Sequence, residues 1–586
     1  MYDVVFIGAG PSALCGANYL KLNSNLSFLI IDKGKEIEKR NHESEIDICS
    51  GVGGNGLFSD GKFSYFPAGS EIWKLDKTYL LKAYEYLRSI MSPYHDIPEL
   101  TDLDYFSNDD ELWKIKDYKT YYLSLEQRYK MIKDLINTYK TQFLLETEVI
   151  DIQKQINNYS LQCKNINNDM VTEINAKKII FAGGRFSPLF LKKLNWIPME
   201  FKRVELGVRF EGPSSSEIYD ISSNVDPKFS KITDGLQYIT FCWCRNGETK
   251  YSNFNGIKTW SGRSDCVSSG KSNFGFNVKF KNISSTELLH KAIQTEIFDV
   301  EFNNDKDIPE SYKEIYCHIK KGLLSFLEYS KFDNDKLKDF RIKGPAVEGV
   351  GYYPVTDDYL KIPSENIYIL GDSTGKFRGI IASMISGLFV SQKIISEFKK
   401  NIVLLSGKRF SGKGETSVIL KKYFESMGKT VHITCFSYFL KEQFCKLNNI
   451  NFLKFINDHK YKDSFRNELT AYLDTCEYSS FTALLENAID TNKFTISDIY
   501  IIDDVRCYDA QIKYINDNFL HKWNTISLRI NSSDDNRIKR GWIKTEYDNH
   551  MCENDLDDHT GFDHYINNDG SIEELEKKVL SLNIEF

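Results

Sequence analysis

Gly8-Ala9-Gly10-Pro11-Ser12-Ala13 is the stretch that decides how this chain begins to fold. Just before it, Val4-Val5-Phe6-Ile7 is a short apolar run that reads as a buried strand. After it, Ala13 to Leu22 repeats apolar residues at helical spacing, and Leu26 to Asp32 is a second apolar run. The order strand, glycine turn, helix, strand makes a βαβ opening. The six residues fit G-x-G-x-x-G/A. In that pattern Gly8 makes the tight turn, Gly10 lets the main chain approach a pyrophosphate, and Ala13 lets helix and strand pack closely. Unpaired N–H groups at the helix start favour an anion. Asp32 ends the second strand, close to the spacing of an acid that takes a ribose hydroxyl. The expectation is a dinucleotide site.

Working outward, 586 residues predict two or three domains. The opening pattern restarts at Ile402-Val403-Leu404-Leu405-Ser406-Gly407, a fresh strand entering a fresh glycine turn with almost no linker before it. The boundary is therefore placed at 399–401, giving domains 1–400 and 401–586. Within the first, nucleotide-binding parts are expected at 1–70, 145–200 and 345–400. They flank a Phe- and Tyr-rich substrate part at 200–345. A net charge of -7 argues against a dedicated nucleic-acid binder, which would carry a basic excess. No apolar run reads as long enough to span a bilayer, and the N-terminus lacks a basic n-region, so a cytoplasmic protein acting on small molecules is expected. Its oligomeric state is open. The 12 cysteines need no disulfides, and Cys242 and Cys244, alternating as in a strand, read as packing rather than zinc ligands.

A second segment points to FAD rather than NAD alone. Gly371-Asp372 follows the apolar run Ile367-Tyr368-Ile369-Leu370 and precedes Gly375, Arg378-Gly379 and a helical stretch. In FAD enzymes of this architecture such an acid meets the ribityl chain, and the helix behind it points its positive end at the flavin ring. Residues 1–398 resemble the bacterial FAD-dependent dehydrogenases whose substrates are mostly unassigned. The matching stretches are Gly53-Gly54-Asn55-Gly56-Leu57-Phe58-Ser59-Asp60-Gly61-Lys62, Phe181-Ala182-Gly183-Gly184-Arg185, Leu206-Gly207-Val208-Arg209-Phe210-Glu211, Phe241-Cys242-Trp243-Cys244-Arg245-Asn246-Gly247 and Gly371 to Ile380. The resemblance implies FAD held by Gly8, Gly10, Ala13, Asp32, Gly53, Gly54, Gly183, Gly371, Asp372 and Arg378, with the Gly53–Lys62 loop near the isoalloxazine. Only Cys49 stands where a disulfide reductase would carry a cysteine pair, so dithiol redox is not expected. No second glycine fingerprint marks an NAD(P)H domain, so the electron donor is open, with NAD(P)H one candidate. Lys62, Arg209, Arg245 and Arg378 are candidate cations for an anionic substrate.

The second half opens on Gly407-Lys408-Arg409-Phe410-Ser411-Gly412-Lys413-Gly414, which fits G-x-x-x-x-G-K between strand and helix. Successive main-chain N–H groups in such a loop cradle phosphates, and Lys413 would reach the β- and γ-phosphates. Gly414 stands where the pattern has the Ser or Thr that binds Mg²⁺. Residues 402–584 resemble the animal-type phosphomevalonate kinases, which have a nucleoside-monophosphate-kinase fold. The shared segments include Leu405–Arg409 with Ser411–Lys413, Leu440-Lys441-Glu442-Gln443, Tyr461-Lys462-Asp463-Ser464-Phe465-Arg466, Asp504-Val505-Arg506 and Arg537-Ile538-Lys539-Arg540-Gly541-Trp542. That family also lacks Ser or Thr after the lysine. ATP would sit on Gly407, Gly412, Lys413 and Gly414, and Asp504 would hold Mg²⁺ at the end of a hydrophobic strand. Lys413, Asp504, Arg537 and Arg540 would serve phosphoryl transfer, the two arginines on a lid over ATP. Lys441, Lys462, Arg466 and Arg506 would hold the acceptor, Lys462 and Arg466 on one face of a helix. Two departures fall on the acceptor side: Cys507 replaces a second arginine after Arg506, and Leu473–Tyr478 contains no Arg or Lys. A less charged or differently shaped acceptor is one expectation.

The fold expected is α/β: a Rossmann-like FAD-binding domain with an inserted α+β substrate domain, then a P-loop, nucleoside-monophosphate-kinase-like domain. The function expected is a flavin oxidoreductase fused to an ATP-dependent small-molecule kinase. Two rivals stand beside it, a flavin enzyme with a silent regulatory ATP-binding domain and a fusion to a nucleoside-monophosphate kinase.

Overall fold

The structure, a computed structural model, describes residues 1–100, 112–116, 118–263, 269–458, 461–462, 464–475, 489, 497–518, 523–584 and 586. The chain divides into two compact units, Met1–Ile394 and Ile395–Phe586.

Among the described residues the first unit has two small two-stranded sheets and two seven-stranded ones. One of the latter is built on β1 (Tyr2–Ile7), followed by α1 (Pro11–Asn23) and β2 (Phe28–Ile31). Val4, Val5, Phe6 and Ile7 are all buried, because a parallel strand covered on both faces needs an unbroken apolar run. Each such side chain contributes roughly 1.5–3 kcal/mol by leaving water. β1 lies between β2 and the long strand Val171–Phe181, parallel to both, with Ile7 opposite Ile31 and Phe181. The strand Ile367–Ile369 pairs parallel with the end of Val171–Phe181 and leads into Gly371. Sequence-distant segments thereby end side by side at the same edge.

The second sheet has seven strands in the order β7 (Phe298–Glu301), β8 (Arg341–Pro354), β3 (Met199–Pro213), β6 (Lys271–Phe280), β5 (Leu236–Cys244), β4 (Lys228–Thr233) and an edge strand Lys114–Lys116. Along the pair β3 and β6 the side chains alternate. Val204, Leu206, Val208 and Phe210 of β3 stand opposite Phe280, Val278, Phe276 and Phe274 of β6. These eight join one apolar core with Ile315, Ile319, Leu323 and Phe326 of α3 (Glu310–Ser330), which crosses the sheet beside α2 (Thr286–Gln294). The residues between them, Glu205 and Lys279 among them, belong to the opposite, polar face.

Cys242 and Cys244 do not alternate simply. A register break between Phe241 and Cys244, with Cys242 at φ 47°, leaves Cys244 buried and Cys242 partly exposed. The helix α4 (Ile380–Phe398) is long and apolar enough to cross a membrane, which the reading of the sequence did not anticipate, and 72% of its apolar window is buried inside the protein. A core helix covered all round passes the same test of composition.

The second unit is a five-stranded parallel sheet. In chain order its strands are β9 (Lys400–Gly407), β10 (Val431–Thr434), β11 (Ile499–Val505), β12 (Trp523–Asn531) and β13 (His564–Asn567). They lie in the order β10-β11-β9-β12-β13, with β9 central. Helices α5 (Lys413–Ser426) and α6 (Ile572–Leu580) cover one face through Leu420, Phe424, Leu575 and Val579. Phe436, Leu440, Ile512 and Ile515 fill the other.

The packing of α3 gives a direct test. At Gly322 an added Cβ would lie 2.1 Å from Cδ1 of Tyr238, a buried ring on β5. Gly322→Ala is expected to destabilise the first unit by about 1–3 kcal/mol, read as a lower urea midpoint. An unchanged midpoint would mean that helix and sheet move apart at no cost.

Candidate functional site

In the first unit the parallel strands end in a crevice of about 1280 Å³. Gly8, at φ 106°, has no room for a side chain, since a Cβ would lie 2.4 Å from the Ala182 carbonyl oxygen. Gly10 caps α1, and a Cβ there would meet nothing within 4 Å. Gly54 comes close behind it, where a Cβ would lie 2.8 Å from Cα of Gly10. Asp32 accepts the N–H of Ala9 at 2.7 Å, of Gly34 at 2.8 Å and of Gly51 at 2.7 Å, so its carboxylate ties the two glycine segments together. Gly183 packs tightly on Ser187, and Gly371, at φ 56°, opens the turn that carries Asp372. Gly8, Gly10, Asp32, Gly54, Gly183, Asp372 and Arg378 all line this one cavity. Ala13 is fully buried behind it in α1. Open space at Gly10 beside a helix start fits a diphosphate.

The cations singled out from sequence are held by protein groups. Lys62 is buried between Asp60 at 3.0 Å and Asp226 at 3.2 Å and donates to the Trp243 carbonyl at 2.6 Å. Burial opposes its charge, but the two carboxylates hold its ammonium well above the ordinary lysine value. Arg378 meets Glu205 at 2.9 Å, Glu348 at 3.4 Å and Asp372 at 3.7 Å, and these acids outweigh its burial and raise its pKa. Arg209 is buried and donates to the Cys242 carbonyl at 2.8 Å and to Asn273. Arg245 donates to the Tyr219 carbonyl at 2.7 Å and to that of Ser222. Arg185, not singled out, pairs with Glu348 at 2.7 Å and lies 3.6 Å from Asp372.

In the second unit the loop after β9 wraps the start of α5. A Cβ on Gly407 would lie 2.5 Å from the Ile530 carbonyl oxygen, and Gly412, at φ 100°, caps α5. The Lys413 ammonium turns into the loop and donates to the carbonyls of Gly407 at 2.6 Å and Lys408 at 2.9 Å. Burial first, then Arg506 and Arg529, push it well below the ordinary lysine value. The space around a Gly414 Cβ is open. Arg537 is buried, stacks 3.8 Å from the centre of the Trp542 ring, pairs with Asp534 and donates to the Arg409 carbonyl at 2.8 Å. Arg540 donates to the carbonyls of Phe410 and Ser411 at 3.4 Å and of Asn568 at 2.7 Å. Both arginines thus reach the glycine loop, where they grip its carbonyls.

Asp504 accepts N–H from Phe436 at 2.6 Å and Ser437 at 3.3 Å, and the Ser437 hydroxyl at 2.7 Å. Its neighbour Asp503, missed in the sequence, accepts no hydrogen bond among the described residues. Burial first and Asp504 second raise its pKa, while Lys441, Lys413 and Lys462 oppose the rise. The register of β11 breaks between Ile502 and Val505, so Asp503 and Asp504 do not alternate simply, and which acid faces Lys413 was not readable from order alone. Lys441 donates to Cys435 Sγ at 3.2 Å. Lys462 is lowered to about 8, by Lys441 first, then by burial, with Arg466 adding to it. Lys441, Lys462 and Arg466 are therefore neighbours. Lys462 and Arg466 do not share one helix as expected, because a turn at 464–465 separates Lys462 from the helix that starts at Arg466. Arg506 pairs with Glu553 at 2.7 Å, whose other oxygen accepts the Arg409 N–H at 3.1 Å. Glu553 carried no sequence signal. Asp463, Cys476, Glu477 and Tyr478 lie outside the described residues. Among the described residues no group of three His, Cys, Asp or Glu is placed to hold a metal ion. One or two carboxylates suffice for Mg²⁺ when phosphates complete its shell, and Asp503 with Asp504 fits that demand.

The phosphomevalonate kinase family model matches residues 405–521. The second unit thus resembles phosphomevalonate kinases over a segment that begins in β9 and takes in the glycine loop, α5 and β11. Solved structures similar to the chain include RebC-10x, at 10% identity over 67% of this chain and 62% of that one, TM-score 0.33. A putative FAD-containing monooxygenase from Photorhabdus luminescens subsp. laumondii matches at 10% identity over 67% of this chain and 88% of its own, TM-score 0.35. A flavoprotein/dehydrogenase from Cytophaga hutchinsonii matches at 15% identity over 67% and 77%, TM-score 0.34. The chain spans about three fifths, 62%, of the length of RebC-10x.

The geometry around Lys62 makes a prediction. Lys62→Met would leave the mostly buried carboxylates of Asp60 and Asp226 without their cation, and about 3 kcal/mol of stability should be lost. Thermal unfolding of the variant checks it, and a loss below about 1 kcal/mol would mean that water reaches these acids.

Proposed function

We propose that this chain is a bifunctional enzyme, an FAD-dependent oxidoreductase in Met1–Ile394 and an ATP-dependent phosphotransferase acting on a small molecule in Ile395–Phe586. One observation, shared by both units, carries this reading. A central parallel strand ends in a glycine turn that opens a helix, Gly8–Gly10 into α1 and Gly407–Gly412 into α5. Helix-start amides at such turns bind diphosphate.

In the first unit FAD would be held by Gly8, Gly10, Ala13, Asp32, Gly53, Gly54, Gly183, Gly371 and Asp372. The flavin supplies the redox chemistry when bound. The chain's part is orientation. Asp32 already joins the loops at Ala9, Gly34 and Gly51, and Arg378 with Arg185 sets the position of Asp372. NAD(P)H is one candidate electron donor. In the second unit the Gly407–Gly414 loop would cradle ATP, with Lys413 on its terminal phosphates and Asp503 with Asp504 holding Mg²⁺. Arg537 and Arg540 fix the loop through its carbonyls. Lys441, Lys462 and Arg466 form a cationic group beside Asp503 that suits an anionic acceptor. Phosphomevalonate is therefore the first acceptor to try, despite the losses near Arg506.

Two variants test the halves separately. Gly10→Val puts its side chain into open space, so the purified protein should lose at least about tenfold of its bound flavin, while flavin-free variant and wild type should unfold at nearly the same temperature. A wild-type protein without flavin absorbance would refute the first half. Lys413→Ala should lower ADP release with phosphomevalonate about 10²-fold or more. Wild-type protein releasing no ADP with any acceptor would favour a silent nucleotide-binding domain. Turnover with nucleoside monophosphates alone would favour a nucleoside-monophosphate kinase.

A further inference from the structure

The polar face of the seven-stranded sheet forms one wall of the crevice in the first unit. Alternation puts Arg203 and Glu205 of β3, Lys279 of β6, Gln237 of β5, Lys228 of β4 and Lys116 of the edge strand on that face. Lys279 stands opposite Glu205 and Gln237, and Lys228 stands directly opposite Lys116. Like charges directly opposite in a sheet are destabilising. Lys281, after β6, and Lys202 and Lys376, beside Arg203 and Gly375, line the same cavity.

Among the described residues acids offset these lysines only in part: Glu71, which lines the same cavity and pulls on Lys116, is paired with Lys74. Asp226 and Asp60 are taken by Lys62. Glu205 meets Arg378 at 2.9 Å, Arg203 at 3.2 Å and Asn277 at 3.0 Å, and Lys279 reaches it only at 4.0 Å. Lys116 donates to the Ser70 hydroxyl at 2.5 Å, and Lys202 to Glu200 and to the Thr374 carbonyl. Among the described residues Lys228, Lys281 and Lys376 make no ion pair and no side-chain hydrogen bond. Burial first, then Lys228, Arg203 and Arg378 against the pull of Glu205, push Lys279 down to about 7. Burial and Lys228 push Lys116 to about 8. A fold that keeps mutually repelling lysines along a cavity wall is storing charge for a ligand.

We propose that Lys116, Lys202, Lys228, Lys279, Lys281 and Lys376 form the binding site for the phosphorylated head of the oxidoreductase substrate. Ammonium groups act as separate point charges, suited to a head with many oxygens turned several ways, where arginine would favour one planar carboxylate. The naming of the ligand as a substrate rests on the flavin reading, while the anion site itself does not. A phosphoryl transfer must supply such a substrate, the class of reaction proposed for the second unit.

The test uses the full chain carrying Lys413→Ala, which weakens the second unit's own phosphate loop, with inorganic pyrophosphate as probe. Pyrophosphate should raise the unfolding midpoint of this protein by about 3 °C or more, and citrate by less. Adding Lys228→Met and Lys279→Met should abolish the rise while leaving bound flavin unchanged. Without pyrophosphate the midpoint should hold or increase, because repulsion is removed. If that variant does not fold, Lys281→Ala with Lys376→Ala gives the same comparison from outside the strands. An undiminished rise would overturn the site. Loss of flavin with the rise would assign the lysines to the cofactor. A larger effect of citrate would overturn the phosphoryl assignment. A colourless protein that keeps the lysine-dependent rise would sink the flavin reading alone.

Discussion

Both units depend on the same steric constraint, a central strand that ends where no side chain can exist. At Gly8 an added Cβ would meet the Ala182 carbonyl oxygen at 2.4 Å, and at Gly407 that of Ile530 at 2.5 Å. In each case the turn presses against the neighbouring parallel strand, and the next helix then starts with its N–H groups facing outward. A residue larger than glycine would push the strands apart, and the crevice beyond them would lose its floor. Everything else at the two sites is arranged around these turns.

The supporting interactions differ in kind. In the first unit carboxylates do the joining: Asp32 collects three amides, and Glu205 and Glu348 hold Arg378 and Arg185 beside Asp372. In the second unit cations do it, as Arg537, Arg540 and Lys413 all donate to carbonyls of the glycine loop. A loop whose carbonyls are gripped from behind presents its amides forward. The crevice of the first unit also has an opposing wall, the polar face of the antiparallel sheet, whose other face is an aromatic core on α3. Alternation makes one strand serve both, so Val204 belongs to the core and Arg203 lines the crevice.

Much of the fold was legible in the chain. The apolar run at β1, the glycine turn and the acid at Asp32 are contiguous and obey local rules, as do β9 and the Gly407–Gly414 loop. The cation assignments were less legible. Lys62, Arg209, Arg245 and Arg378 look alike in sequence, yet each is tied to a partner between 26 and 181 positions away. Lys228 and Lys279 looked unremarkable because nothing local marks a lysine whose acid is missing or shared with other cations.

Sequence by itself determined the two βαβ openings, the order of the units and the residue types at each glycine turn, because tight turns and buried parallel strands are local demands on φ and side-chain size. Tertiary structure alone decided which charges remain uncompensated, that among the described residues Asp503 rather than Asp504 is left without hydrogen bonds, and that Glu553 lies between Arg409 and Arg506. Ion pairing depends on distances between segments remote in the chain, and strand pairing, not neighbouring sequence, sets those distances.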